Sequence, residues 1–371
     1  MECETVSNKF CFIMEQNDKV KISMYTPKRF GYDGEIVDID LLNVEDGPSD
    51  KNFRLNLKPK TGYVSKNNLQ FSLRTKYKAD EVMQNNTTNI KVKDYINVYA
   101  IARLTFDSFN EQCKHIDIDK LDDLNILLEA NDTKCIGGTK NAYYQRIGKP
   151  GNGSINFCAK IMPSSSSYFD IIAHETGHAI CDLLNPSLGG NSKISGAYHE
   201  SFGDLAAFFA SVKLLYMQGD SFKLVQFLKN GGGICLAPGF IGGECLRDSN
   251  KKSKTSCEVH SNSINFTRFF MKSINKVFEH IVGEDCSKKN RGESKMNEVA
   301  LWTSNFFQRL LIKTTISSSS PKSLYHIALH AVEQAKSVCK NMKKSNLKST
   351  IETILSQQLN EEKSHLGKCY Q

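Results

Sequence analysis

The five residues His174-Glu175-Thr176-Gly177-His178 constrain this chain more than any other stretch of it. Two histidines four positions apart lie one turn apart on a helix, on the same face, so both imidazoles can reach one metal ion. The surroundings read as a helix over residues 168–184. Phe169, Ile171, Ile172, Ile180 and Leu183 supply its apolar positions, Ser164 to Ser167 offer caps, and Asn185-Pro186 ends it. A second helix is predicted over 196–216, with Glu200 and Asp204 one turn apart at its start and a run rich in Ala, Phe and Leu behind them.

These residue types suit one chemistry. A catalytic zinc site takes three protein ligands and leaves a fourth position open. His174, His178 and Glu200 meet that count. Glu175 stands beside them, placed to address the metal's water rather than the metal, and Asp204 can fix the tautomer of a ligand imidazole. The competing reading is a buried helix pair whose His and Glu only hydrogen-bond each other. Matched polar residues on two otherwise apolar helices favour the metal, because unpaired polar groups are costly in a core.

With those residues in hand, the chain resembles the thermolysin-like zinc metallopeptidases (gluzincins). His-Glu-x-x-His is followed by Gly196-Ala197-Tyr198-His199-Glu200 and Asp204, and three further stretches match in order. Asn141-Ala142-Tyr143-Tyr144 resembles the family's substrate-binding edge strand. Leu246-Arg247-Asp248 resembles the segment whose Arg contacts the substrate carbonyl, and Val259-His260-Ser261-Asn262-Ser263 the motif carrying the transition-state histidine. The likeness covers roughly residues 80–358. It implies an endopeptidase in which His174, His178 and Glu200 hold Zn2+, Glu175 is the general base, and His260 stabilises the oxyanion. Asp204 would orient a ligand histidine, His174 in this reading. Arg247, Asn141 and the Ala142 backbone would bind the peptide. Ile171 and Leu246 would shape an apolar pocket for the residue after the cut, with weak discrimination among Leu, Ile and Phe. The implied fold is α+β and two-lobed, with a β-rich N-terminal lobe (1–165) carrying one long helix. An α-helical C-terminal lobe (166–371) follows, with the zinc helix at the junction.

The departures matter as much. Ser211 stands where a calcium-binding carboxylate is expected, although Asp170 is retained, and residues 222–243 carry no acidic cluster. Calcium needs six to eight oxygens, so the family's double calcium site is not expected. Tyr198 is out of register for the family's oxyanion tyrosine. Thr255 replaces the Asp that buttresses the transition-state histidine, leaving Glu258 or Asp248 to take that part. A non-catalytic zinc-stabilised binding protein and a zinc hydrolase of non-peptide amides are the other readings. The amine-binding motif of related aminopeptidases is missing.

Composition limits the partners. At 371 residues the chain can bury two cores. No run of eighteen apolar residues suggests a membrane span. A net charge of +8 spread over polar surfaces does not suggest nucleic-acid binding. The expected partner is a protein or peptide substrate, and the chain is expected to be a monomer. The start, Met1-Glu2-Cys3-Glu4-Thr5, lacks the regions of a signal peptide. The family resemblance favours secretion or export and that start favours the cytoplasm, so the compartment stays open. Twelve cysteines without a CxxC pair do not form a disulfide framework by themselves; Cys113, Cys158 and Cys181 read as core residues, and one bridge among Cys235, Cys245 and Cys257 is plausible in an oxidising compartment. His326 and His330, one turn apart without a carboxylate in the pattern, read as helix-face residues. Residues 10–73 alternate apolar and polar as strands do, 92–113 reads as a helix, 132–161 as short strands, and later helices begin near 262, 296, 321 and 345.

Overall fold

The computed structural model describes strands at 13–14, 19–25, 36–42 and 53–56, then residues 92–116, 121, 124–132, 142–158, 169–189, 192–219, 221–229, 235–236, 247–249, 258–286, 293–319, 321–340, 342 and 345–367. The alternating sequences Lys19–Tyr25 (β2) and Ile36–Leu42 (β3) suit a strand with two different faces. They pair antiparallel, Lys19 opposite Leu42 and Tyr25 opposite Ile36, and Ile13–Met14 (β1) adds to β2. A second sheet has the order β4-β5-β7-β6, from Phe53–Asn56 (β4), Asn125–Asp132 (β5), Ala142–Arg146 (β6) and Asn152–Cys158 (β7). β4, β5 and β7 run parallel; β6 is antiparallel to β7 and forms the edge. Ile126, Leu128, Ile155 and Phe157 of this sheet are buried.

The described residues also hold a 3-10 turn at Pro186–Leu188 and eight α-helices: Val92–Lys114 (α1, between β4 and β5), Phe169–Leu184 (α2), Lys193–Met217 (α3), Ser221–Lys229 (α4), Val259–Cys286 (α5), Glu293–Ser317 (α6), Leu324–Val338 (α7) and Ser345–Leu366 (α8). α2 is buried at every position but Leu183, so it is the central helix. Its closest partner is α3. A Cβ on Gly177 would lie 2.6 Å from the Ala206 Cβ and 3.0 Å from the Gly203 Cα, so the two backbones approach where neither helix carries a large side chain. α1 packs on both, α5 packs on α3, and α6, α7 and α8 close around them. The buried apolar side chains form one connected cluster reaching from Phe53 to Leu366. Each large member, such as Phe202 or Phe266, contributes roughly 2–3 kcal/mol by leaving water.

This is the mixed α+β arrangement expected. α1, α2 and α8 start within a residue of the expectation, while α3, α5, α6 and α7 start about one turn away from it, because apolar spacing marks where a helix buries its face and the capping residue marks where it begins. α3 starts at Lys193, with the Ser192 hydroxyl accepting the Ser195 N–H at 3.0 Å. α5 starts at Val259, which puts His260 in its first turn. α6 starts at Glu293, and α7 starts at Leu324 behind a Ser323 cap. A short antiparallel ribbon pairs Cys235–Leu236 (β8) with Arg247–Asp248 (β9), bringing Arg247 opposite Leu236. No helix among the described residues is long and apolar enough to cross a membrane.

Candidate metal centre

The sequence places two imidazoles on α2 and two carboxylates on α3, and the tight α2–α3 contact brings them together. His174 Nε2 lies 3.3 Å from one Glu200 oxygen and His178 Nε2 3.6 Å from the other. One ligand atom from each of the three falls within 4.8 Å of the others. Among the described residues this is the group of His, Cys, Asp or Glu side chains close enough to hold a metal ion. Gly203 makes the room for it: a Cβ there would lie 2.6 Å from the His174 ring.

The partners of these groups sort their roles. Asp204, only 1% exposed, meets His174 Nδ1 at 3.0 Å, which leaves His174 Nε2 as the nitrogen facing Glu200. Burial and the Arg247 charge both pull the His174 pKa down. The hydrogen bonds and charges of Asp204 and Glu200 outweigh them and hold it up at about 9. Burial drives His178 well below the usual histidine range, with the His174 charge adding to it, so His178 is a neutral imidazole with a free lone pair. Its Nδ1 is shielded and has no hydrogen-bond partner among the described residues. Against burial, His174, His178 and Arg247 hold Glu200 well below the usual carboxylate range. A divalent cation would displace the His174 Nε2 proton, and two imidazole nitrogens with an ionised carboxylate are then a donor set that fits a borderline cation such as zinc.

Glu175 is buried beside this group. Burial pushes its carboxyl up to about 7, against the His174 and Arg247 charges and the backbone N–H of Tyr144 on β6, which favour the ionised form. Its Oε2 has no hydrogen-bond partner among the described residues. His260 stands half exposed on the rim, its Nε2 3.5 Å from Glu200 Oε1 and its Nδ1 in a short contact with Glu258 Oε1. The other Glu258 oxygen accepts the Ser261 N–H at 2.9 Å, so one carboxylate caps α5 and holds the histidine. Of the two buttresses left open by the sequence, the structure puts Glu258 on the ring; Thr255 lies outside the described residues.

Arg247 is 9% exposed. It donates to both Asp204 oxygens through Nε, at 3.0 and 3.1 Å, and its Nη1 lies 3.2 Å from Glu200 Oε2. Its Nη2 is 3.1 Å from both His174 nitrogens, a position over the ring rather than in line with either lone pair. The residue expected to touch substrate therefore also neutralises the two carboxylates of the centre. Ala142 opens β6 and Ile171 is buried on α2. Asn141 and Leu246 lie outside the described residues.

Tyr198 is committed to the core, its hydroxyl 2.7 Å from Thr315 Oγ1. Asp170 is buried in the first turn of α2, and the Ser211 hydroxyl donates to the Ala207 carbonyl at 2.6 Å. Cys113 and Cys181 are buried free thiols; the Cys158, Cys235, Cys245 and Cys257 side chains are outside the described residues. His326 bonds Ser323, and His330 bonds Ser317 and Glu333, as helix-face residues do.

No known family, curated protein or solved structure matches the chain.

Three residues near the centre were not anticipated. Asp182, one turn beyond His178, accepts from Tyr144 and Arg146 of β6. His199 stacks on His178 with ring centroids 5.6 Å apart, and burial lowers its pKa to about 4. Gly203 is the third. A polar Asp182 in so apolar a helix was a usable signal; the other two depend on how α3 meets α2.

Proposed function

We propose that the chain is a zinc-dependent endopeptidase of thermolysin-like kind, favouring an apolar residue after the cut. The observation that carries this is the juxtaposition of a three-donor metal group with a buried carboxylate, Glu175, that itself touches the edge strand β6. Zinc held by His174, His178 and Glu200 would supply Lewis acidity toward a water and a peptide carbonyl.

The chain's own groups account for the rest. A carboxylate pushed up to about 7 can take a proton from water and return it to the departing amine near neutral pH. His260, on the rim and held by Glu258, can donate a hydrogen bond to the oxygen on which charge grows. Strand residues alternate the edge to which their backbone groups point. The Tyr144 N–H faces Glu175, so Ala142, two residues earlier, faces the same free edge, where an extended peptide can add as a strand. Ile171 supplies apolar wall. Asn141 and Leu246 keep their roles on resemblance alone.

Replacing Glu175 with Gln tests this. The variant should fold, bind one zinc per chain, and lose peptide cleavage by about a thousandfold or more. Undiminished cleavage by a zinc-loaded E175Q chain would remove Glu175 from the mechanism.

A further inference from the structure

Asp182 is 1% exposed, on the central helix, one turn beyond His178. Its carboxylate accepts the Tyr144 hydroxyl at 2.8 Å and Arg146 Nε at 2.9 Å, and a second, shorter contact joins its other oxygen to Arg146 Nη2. Nη2 continues to the Pro186 carbonyl at 3.2 Å. Tyr144 and Arg146 are two apart on β6, hence on one face of the edge strand.

Two glycines make this convergence fit. A Cβ on Gly153 of β7 would lie 2.7 Å from the Tyr144 ring, and a Cβ on Gly189 would collide with the Arg146 guanidinium. The main chain of Tyr144 serves the other side of the same geometry, because its N–H reaches the Glu175 carboxylate. A single residue thus has its side chain tied to one end of α2 and its backbone to the base candidate in the middle of that helix.

We infer that Asp182 is a positioning residue: by clamping Tyr144 and Arg146 it holds the free edge of β6 at a fixed height over Glu175, and so fixes the register in which an extended peptide adds to that edge. This rests on the peptidase reading for its substrate, but the clamp on β6 is a separate physical statement. A buried ion pair serving only the fold is the alternative. It would be felt through α2 and α3 as a whole, whereas a positioning clamp is felt at β6 and in the binding of long substrates.

The test uses the full zinc-loaded chain with Asp182→Asn, and with Arg146→Gln as a milder variant should the first fail to fold. Amide hydrogen exchange is read separately over residues 142–146 and 169–184. KM and kcat are measured with an extended octapeptide and with a blocked dipeptide amide. The expected result is exchange at 142–146 faster by about tenfold and octapeptide KM raised by about tenfold, the worth of one charge-assisted hydrogen bond. The dipeptide KM, kcat and zinc content should stay within about twofold. Unchanged exchange at 142–146 overturns the inference. So does faster exchange spreading through 169–184 with loss of zinc, or an octapeptide KM that does not move in an active variant. If wild type cleaves neither substrate, the peptidase reading falls, and local against unchanged exchange at 142–146 still decides the clamp.

Discussion

At residue 203 a single methyl group decides whether His174 fits. Alanine is favoured over glycine in a helix by about 1 kcal/mol, but here the new Cβ would sit 2.6 Å from the imidazole. Overpacking of that kind costs about 1–3 kcal/mol, and it falls on a metal donor, so the clash outweighs the propensity. Gly203→Ala is expected to weaken zinc binding by at least about tenfold, read by competition with a chromophoric chelator. Unchanged affinity would mean that the ring can shift without consequence. At this scale the ligands were legible in the sequence, since HExxH and a later Glu-x-x-x-Asp fix residue types and faces. The room for the ring was not, because Gly203 acquires its meaning only once α3 meets α2. Nor was the double duty of Arg247, whose contacts on Asp204 and Glu200 depend on where the β8–β9 ribbon delivers it.

Among the elements, α5 carries His260 and is locked to α8 by a buried cluster. Arg268 donates to Glu362 Oε2 through Nε at 2.9 Å, and Lys272 meets Oε1 at 2.8 Å. Glu362→Gln leaves the Arg268 charge in the core without its counter-ion and is expected to cost about 3 kcal/mol in urea unfolding. Burial alone would raise the Glu362 carboxyl, but Arg268 and Lys272 hold it below its ordinary 4.5. The unfolded chain therefore takes up the proton first on acidification. The advantage of wild type over E362Q should be full above the ordinary carboxylate range and shrink as pH falls through the depressed value. A gap that widened on acidification would contradict this reading. Helix identities were legible from apolar spacing, as were the starts of α1, α2 and α8, while the first turns of α3, α5, α6 and α7 were not. Ser192 and Glu258 begin α3 and α5 a turn early by capping, a local side-chain event that periodicity does not register.

For the molecule as a whole, the metal group joins the two central helices, so an ion that binds only the folded chain stabilises it. At a hundredfold excess over Kd the gain is about 2.7 kcal/mol, or about 3 °C in Tm for a chain of this length. Adding a chelator should remove that increment from wild type and change nothing in His178→Ala; equal shifts in both would place the stabilising ion elsewhere. The mixed class of the fold was legible, since alternating strands come early and helical spacing dominates after residue 168. The interlocking of sheet and helices was not. Asp182 reaches back 36 residues to Arg146 and 38 to Tyr144, and pairing over such distances is settled by tertiary packing rather than by local pattern. The central claim is that this metal group hydrolyses peptide bonds. Mass-spectrometric mapping of cuts in a mixed peptide library, with the full chain zinc-loaded and again after chelation, tests it most directly. Internal cuts before apolar residues, present with zinc and abolished without it, are the expected result. A folded chain with zinc bound at His174, His178 and Glu200 that leaves the whole library intact would contradict the claim.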